Sequence, residues 1–201
     1  MFKTNSPAVI GISKFISNFF NPLTSLLIYF VWFSSQNYTF EEASKRFLPI
    51  LLITIIPIVI WLVWNVKSGK YSNLDVSNRN QRKSLYFFIA AAIITYLLFD
   101  YFKNESIDLV MVFLLILLLV MQFSNYFIKS SMHTAFNVFV SALFFAKSPI
   151  LGIIWLGIAV LVGITRIILK RHTVKEVITG AFIAVLVSFI YLYANIVMNY
   201  N

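Results

Sequence analysis

Cysteine is absent from this 201-residue chain, histidine occurs twice, and Asp and Glu together number seven. Without cysteine neither a disulfide framework nor a thiolate metal site can form, although the absence says little about compartment. Two imidazoles and seven carboxylates also supply a protein-ligated metal centre poorly. Charge is scarce as well: 11% of residues are charged, against 60% hydrophobic and a mean hydropathy of +0.87. That balance lies outside soluble globular composition. No soluble domain, low-complexity tract or clear repeat interrupts it. What the chain does have is apolar runs near 20 residues, long enough to span a bilayer. The expectation is an all-α, polytopic transmembrane bundle forming a single membrane-embedded domain over residues 1–201.

In chain order, residues 1–20 carry Lys3 and Lys14 among apolar residues spaced near three and four, the pattern of an amphipathic helix in the interface. An uncleaved signal anchor is the alternative, since no small-residue cleavage site follows a compact apolar core. Asn21-Pro22 ends that helix, and the first span runs from Pro22 to about Ser35. Gln36 to Arg46 reads as a polar connection. The second span is Phe47 to Val66, with Pro57 as a kink. Lys67 to Ser84 is the longest polar loop. Leu85–Phe102 and Leu109–Phe127 are the third and fourth spans. Phe136–Phe145 and Ile150–Leu169 form a hairpin broken at Lys147-Ser148-Pro149, and Val177–Met198 is last. The count is seven, or six if the first apolar run only dips into the interface.

The formal net charge is +9. The cations sit in short loops between spans, which fits membrane topology and anionic lipid rather than nucleic acid. Of 16 Lys and Arg, four (Lys45, Arg46, Lys103, Lys147) fall on one side and the other twelve on the side bearing the motifs below. The positive-inside rule slightly favours the cytoplasm for that side, with the outer face as the alternative, in what is expected to be a bacterial inner membrane. Asp100, Asp108, Glu41 and Glu42 fall on the opposite side and read as solvated loop charges.

The two histidines, His133 and His172, lie at the two ends of the hairpin. Sixteen residues separate His133 from Pro149, and 17 separate Pro149 from Arg166. At 1.5 Å per residue each arm is about 24–26 Å long, so Arg166 returns to the level of His133. His172 and Glu176 are spaced i, i+4 and share a helical face. A carboxylate there fixes the ring's tautomer and leaves the other nitrogen to attack or to take a proton. Arg166 is the planar fork suited to phosphate oxygens. Ser131, Met132 and His133 precede an apolar run, so their amides should open a helix and face an anion; Ser131 also reads as a helix N-cap.

These segments, Ser130-Ser131-Met132-His133 and Thr165-Arg166-x5-His172-x3-Glu176 followed by Gly180, resemble the type-2 phosphatidic acid phosphatase (PAP2) superfamily of membrane lipid phosphatases. Its second and third motifs are P-S-G-H and S-R-x5-H-x3-D. Met132 stands where the family has Gly, and Glu176 where it has Asp. The family's first motif, K-x6-R-P, has an imperfect counterpart in LDVSNRNQR, where Arg82 and then Arg79 are the candidate phosphate ligands. Two spans lie between that loop and His133 and two between His133 and His172, so all three segments are expected on one side.

The resemblance implies a metal-independent phosphatase without cofactor, acting on a lipid phosphate or diphosphate. His172 would be the nucleophile that becomes phosphohistidine, Glu176 its tautomer-fixing partner, and His133 the acid and base on the leaving and attacking oxygens. Arg166, Arg82 and Arg79, with Ser131 and Lys129, would hold the phosphate. A phosphotransferase using the same intermediate and a catalytically silent membrane protein are the alternatives. A prenyltransferase reading of LDVSNRNQR fails for want of paired Asp-rich motifs. Headgroup and oligomeric state are not legible.

Overall fold

The computed structural model describes residues 6–76 and 78–200; Lys3 and the rest of residues 1–5 lie outside them. Among the described residues nine α-helices follow in order: α1 Pro7–Phe19, α2 Pro22–Asn37, α3 Phe40–Ile50, α4 Ile56–Lys67, α5 Arg79–Asn104, α6 Leu109–Ser124, α7 Met132–Phe145, α8 Pro149–Ile168 and α9 Val174–Tyr200. A π-turn, Leu51–Ile55, joins α3 to α4. No strand occurs among the described residues. In a medium without water every backbone group must find its partner inside the segment, and helices meet that demand.

Among the described residues four helical stretches are long and apolar enough to cross a membrane: Phe40–Lys67, Arg79–Asn104, Pro149–Ile168 and Val174–Met198. The α1–α2 pair makes a fifth if it is one broken span, its halves being bent by 57°. α6 and α7 are apolar but shorter, at 16 and 14 residues.

The polar connection expected at Gln36 to Arg46 is largely helical. α2 runs on to Asn37, and α3 starts at Phe40 because Thr39 and Glu42 form a capping box. The hydroxyl of Thr39 accepts the Glu42 amide at 3.3 Å, and the Glu42 carboxylate accepts the Thr39 amide at 2.9 Å. The acidic residues read as loop charges accordingly belong to helices or their caps. Glu41 pairs with Lys45 one turn on at 2.6 Å, and Asp108 caps α6 by accepting the Met111 amide at 3.1 Å. Asp100 lies within α5 and accepts from Asn104 at 2.6 Å.

The chain packs as two compact units. One takes the residues through Phe33 and those from Phe127 onward; the other is Ser34–Tyr126. In the first, α7 is the central helix, packed on α8 and α9, and α1 packs on α8. Eleven consecutive residues of α7, Thr134 to Phe144, are buried. In the second, α5 packs on α6, on α4 and on the π-turn. Its loop folds inward on Tyr71 and Val76, which join Leu85 in a small core.

The N-terminal helix leaves several of its apolar residues uncovered. Its buried face is Ser13 and Ser17, while Ile12, Phe15 and Phe19 are exposed. Small polar side chains let two helices approach closely in an apolar medium, and this face is the one turned to the protein.

Candidate functional site in the first unit

Arg166 occupies the last turn of α8. The helix ends in a tight reversal in which Lys170 takes a left-handed conformation (φ +54), the usual way of satisfying terminal carbonyls. The Arg166 carbonyl accepts two amides, from Arg171 at 3.0 Å and from His172 at 3.2 Å. The reversal therefore returns His172 to the residue that carries the guanidinium. Lys129 braces the same turn by donating to the Arg171 carbonyl at 3.1 Å.

His172 precedes α9, and its Nδ1 lies 2.9 Å from Glu176 Oε2. A carboxylate oxygen accepts, so the Nδ1–H is directed at Glu176 and Nε2 is the ring nitrogen turned away from it. The imidazole is wholly enclosed, with 0% of the side chain exposed, against 19% for Glu176. The same Oε2 accepts the Thr173 amide at 3.1 Å, while the Thr173 hydroxyl accepts the Glu176 amide at 3.2 Å. This is a second capping box, with Thr173 at the N-cap of α9. Glu176 thus orients an imidazole and starts a helix at once.

The starts of α7 and α9 lie side by side. The Ser131 amide donates to the Glu176 carbonyl at 3.0 Å. A methyl group at Gly180 would sit 2.7 Å from the Ser131 carbonyl oxygen, so only glycine admits this approach. Gly163 of α8 likewise faces Val177 and Thr134 closely. His133, the second residue of α7, therefore begins its helix at the end of the unit where His172 begins α9.

Ser131 caps α7: its buried hydroxyl accepts the Thr134 amide at 3.4 Å and the Thr134 hydroxyl at 3.0 Å. Its own amide is engaged by Glu176, which corrects the expectation that three consecutive amides there face an anion. The Ser131 amide is therefore not among the anion donors of that turn.

Arg166 is buried, and its Nη1 donates to the equally buried Ser17 Oγ at 3.1 Å. Asn137, one turn after His133, is fully enclosed. Its Nδ2 donates to the His133 carbonyl and to the Phe20 carbonyl, each at 2.8 Å. Its Oδ1 accepts from Ser25 at 2.9 Å and from Trp155 Nε1 at 3.3 Å. Ser17, Asn137 and Thr173 were not anticipated. The signals for them are a Ser13/Ser17 repeat at i, i+4 in an apolar helix, a lone amide in FNVFV, and a T-x-x-E sequence before an apolar run.

Arg79 and Arg82 belong to the second unit, in the first turns of α5 behind the cap Asn78. Arg82 is buried and its Nε donates to the Val76 carbonyl at 3.0 Å. Arg79 Nε donates to the Asn125 carbonyl at 2.5 Å, and Asn125 returns a bond to the Arg79 carbonyl at 3.2 Å. Each guanidinium is engaged with main chain of its own unit. Among the described residues no three of His, Asp and Glu gather as a metal-holding group. Compared with family models, with curated proteins and with solved structures, the chain matches none.

Proposed function

We propose that the chain is an integral-membrane phosphatase acting on a lipid phosphate or diphosphate through a phosphohistidine. The observation that carries this is the enclosed His172–Glu176 pair at 2.9 Å, with Arg166 bonded to the His172 amide through its carbonyl. A fixed tautomer leaves Nε2 as the nucleophile, and a guanidinium nearby answers the charge of the phosphoryl oxygens.

In the forward step the Nε2–P bond forms and the P–O bond to the lipid breaks, with His133 delivering a proton to the departing alkoxide. Water then attacks phosphorus, His133 takes its proton, and the N–P bond breaks to release phosphate. The amides of Met132 and His133 at the start of α7 add anion donors. Ser131 and Lys129 shape this site by capping α7 and bracing the α8–α9 turn. α1–α2 counts as one broken crossing, α6 and α7 as short ones, giving seven. The end bearing His133 and His172 faces the cytoplasm, on the positive-inside balance.

One observation favours the silent alternative: the capping box by itself accounts for a carboxylate at position 176. Phosphate release separates the two. Purified protein in metal-free detergent solution should liberate phosphate from phosphatidic acid, phosphatidylglycerophosphate or a polyprenyl diphosphate, and His172→Ala should abolish release. Equal release by the variant rejects the assignment.

A further inference from the structure

The geometry points to α1 as part of the phosphate site, with Ser17 as the residue that positions Arg166; this rests on the phosphatase reading above. Arg166 is held at two places. Its carbonyl is fixed by the amides leading to His172, and its guanidinium is met by Ser17 from a helix 149 residues earlier in the chain. Both groups are buried, with Ser17 at 0% and Arg166 at 3% exposure.

The chemistry of the partner matters. A hydroxyl oxygen accepts one N–H and brings no charge of its own, while restricting a long side chain that otherwise has many rotamers. A serine is therefore a partner that can orient a phosphate-binding cation.

The end of α1 is tied to the other histidine as well. Asn137 links the Phe20 carbonyl, where α1 terminates, to the His133 carbonyl, at 2.8 Å in each case. Ser25, just inside α2, bonds the same amide at 2.9 Å. The bend between α1 and α2 is thereby anchored to the helix that begins with the proposed acid, and α1 to the one that carries the proposed cation.

The test compares wild type, Ser17→Ala, Ser17→Thr, Arg166→Gln and the Ser17→Ala/Arg166→Gln double variant, with His172→Ala as the reference for the reaction. Phosphatidic acid turnover and the shift of unfolding temperature by orthovanadate, a tetrahedral phosphate analogue, are measured for each. Ser17→Ala should lower kcat/KM about tenfold, the worth of one charge-assisted hydrogen bond. Ser17→Thr, which keeps the hydroxyl, should restore it to within about twofold. The double variant should be no worse than Arg166→Gln, because a positioning group has nothing left to position. Losses that multiply, or a Ser17→Ala enzyme equal to wild type, overturn the proposal. Absence of His172-dependent turnover would reject the phosphatase reading, and orthovanadate then decides alone. Stabilisation of wild type that is lost in Ser17→Ala upholds the role of Ser17; equal shifts, or none in wild type, overturn it.

Discussion

At the scale of single residues, Glu176 is asked to do two things with one oxygen, and substitutions can pull them apart. Glu176→Gln replaces a pure acceptor by a group that also donates, so the His172 tautomer is no longer dictated. Turnover should fall at least about tenfold. Thr173→Ala removes the hydroxyl half of the cap and leaves the carboxylate facing His172. It should cost about 1 kcal/mol of stability while kcat stays within about twofold. Measuring kcat and the unfolding midpoint for both variants checks this; kcat that merely follows stability would assign the carboxylate to capping alone. The His172–Glu176 contact was legible because the two residues are only four apart, although His172 lies just before α9 and meets Glu176 at the helix cap rather than on a helical face. The Ser17–Arg166 contact was not: it joins residues 149 positions apart, and a serine in an apolar helix carries no mark of which distant helix it will meet.

At the scale of elements, helix type and most boundaries follow from the apolar runs, because composition and period are read over many residues at once. The exceptions come from caps. Two polar residues, Thr39 and Glu42, turn what reads as a loop into the first turn of α3, and Asp108 becomes a cap rather than a solvated charge. Helix approach was equally hidden, since a glycine's purpose depends on what lies opposite. Gly180→Ala places a methyl group 2.7 Å from the Ser131 carbonyl oxygen, and a backbone neighbour yields poorly. The variant should lose about 1–3 kcal/mol, seen as a lower unfolding midpoint in detergent. Gly157→Ala is the matched control, because its methyl group would meet nothing within 4 Å; its midpoint should be unchanged or higher.

At the scale of the whole molecule, the absence of cysteine turns orientation into a direct measurement. Lys175 is exposed in the first turn of α9, and Lys103 is exposed near the end of α5. With the α7/α9 end facing the cytoplasm, a single Lys175→Cys should resist an impermeant maleimide in intact cells and react in inverted vesicles. Reaction in intact cells would put that end outside. The order of the chain has a further consequence, for biosynthesis. The first unit is discontinuous, its opening helices separated from their partners by the whole of Ser34–Tyr126. At about 5–20 residues per second, the ribosome needs several seconds or more to deliver α7 and α8 after α2 is made. Throughout that interval the serine face of α1 and the carbonyl at Phe20 lack the side chains that will satisfy them. The nascent bend between α1 and α2 must wait in the insertion machinery or at the wet edge of the bilayer, and the unit closes only when the last third of the chain arrives.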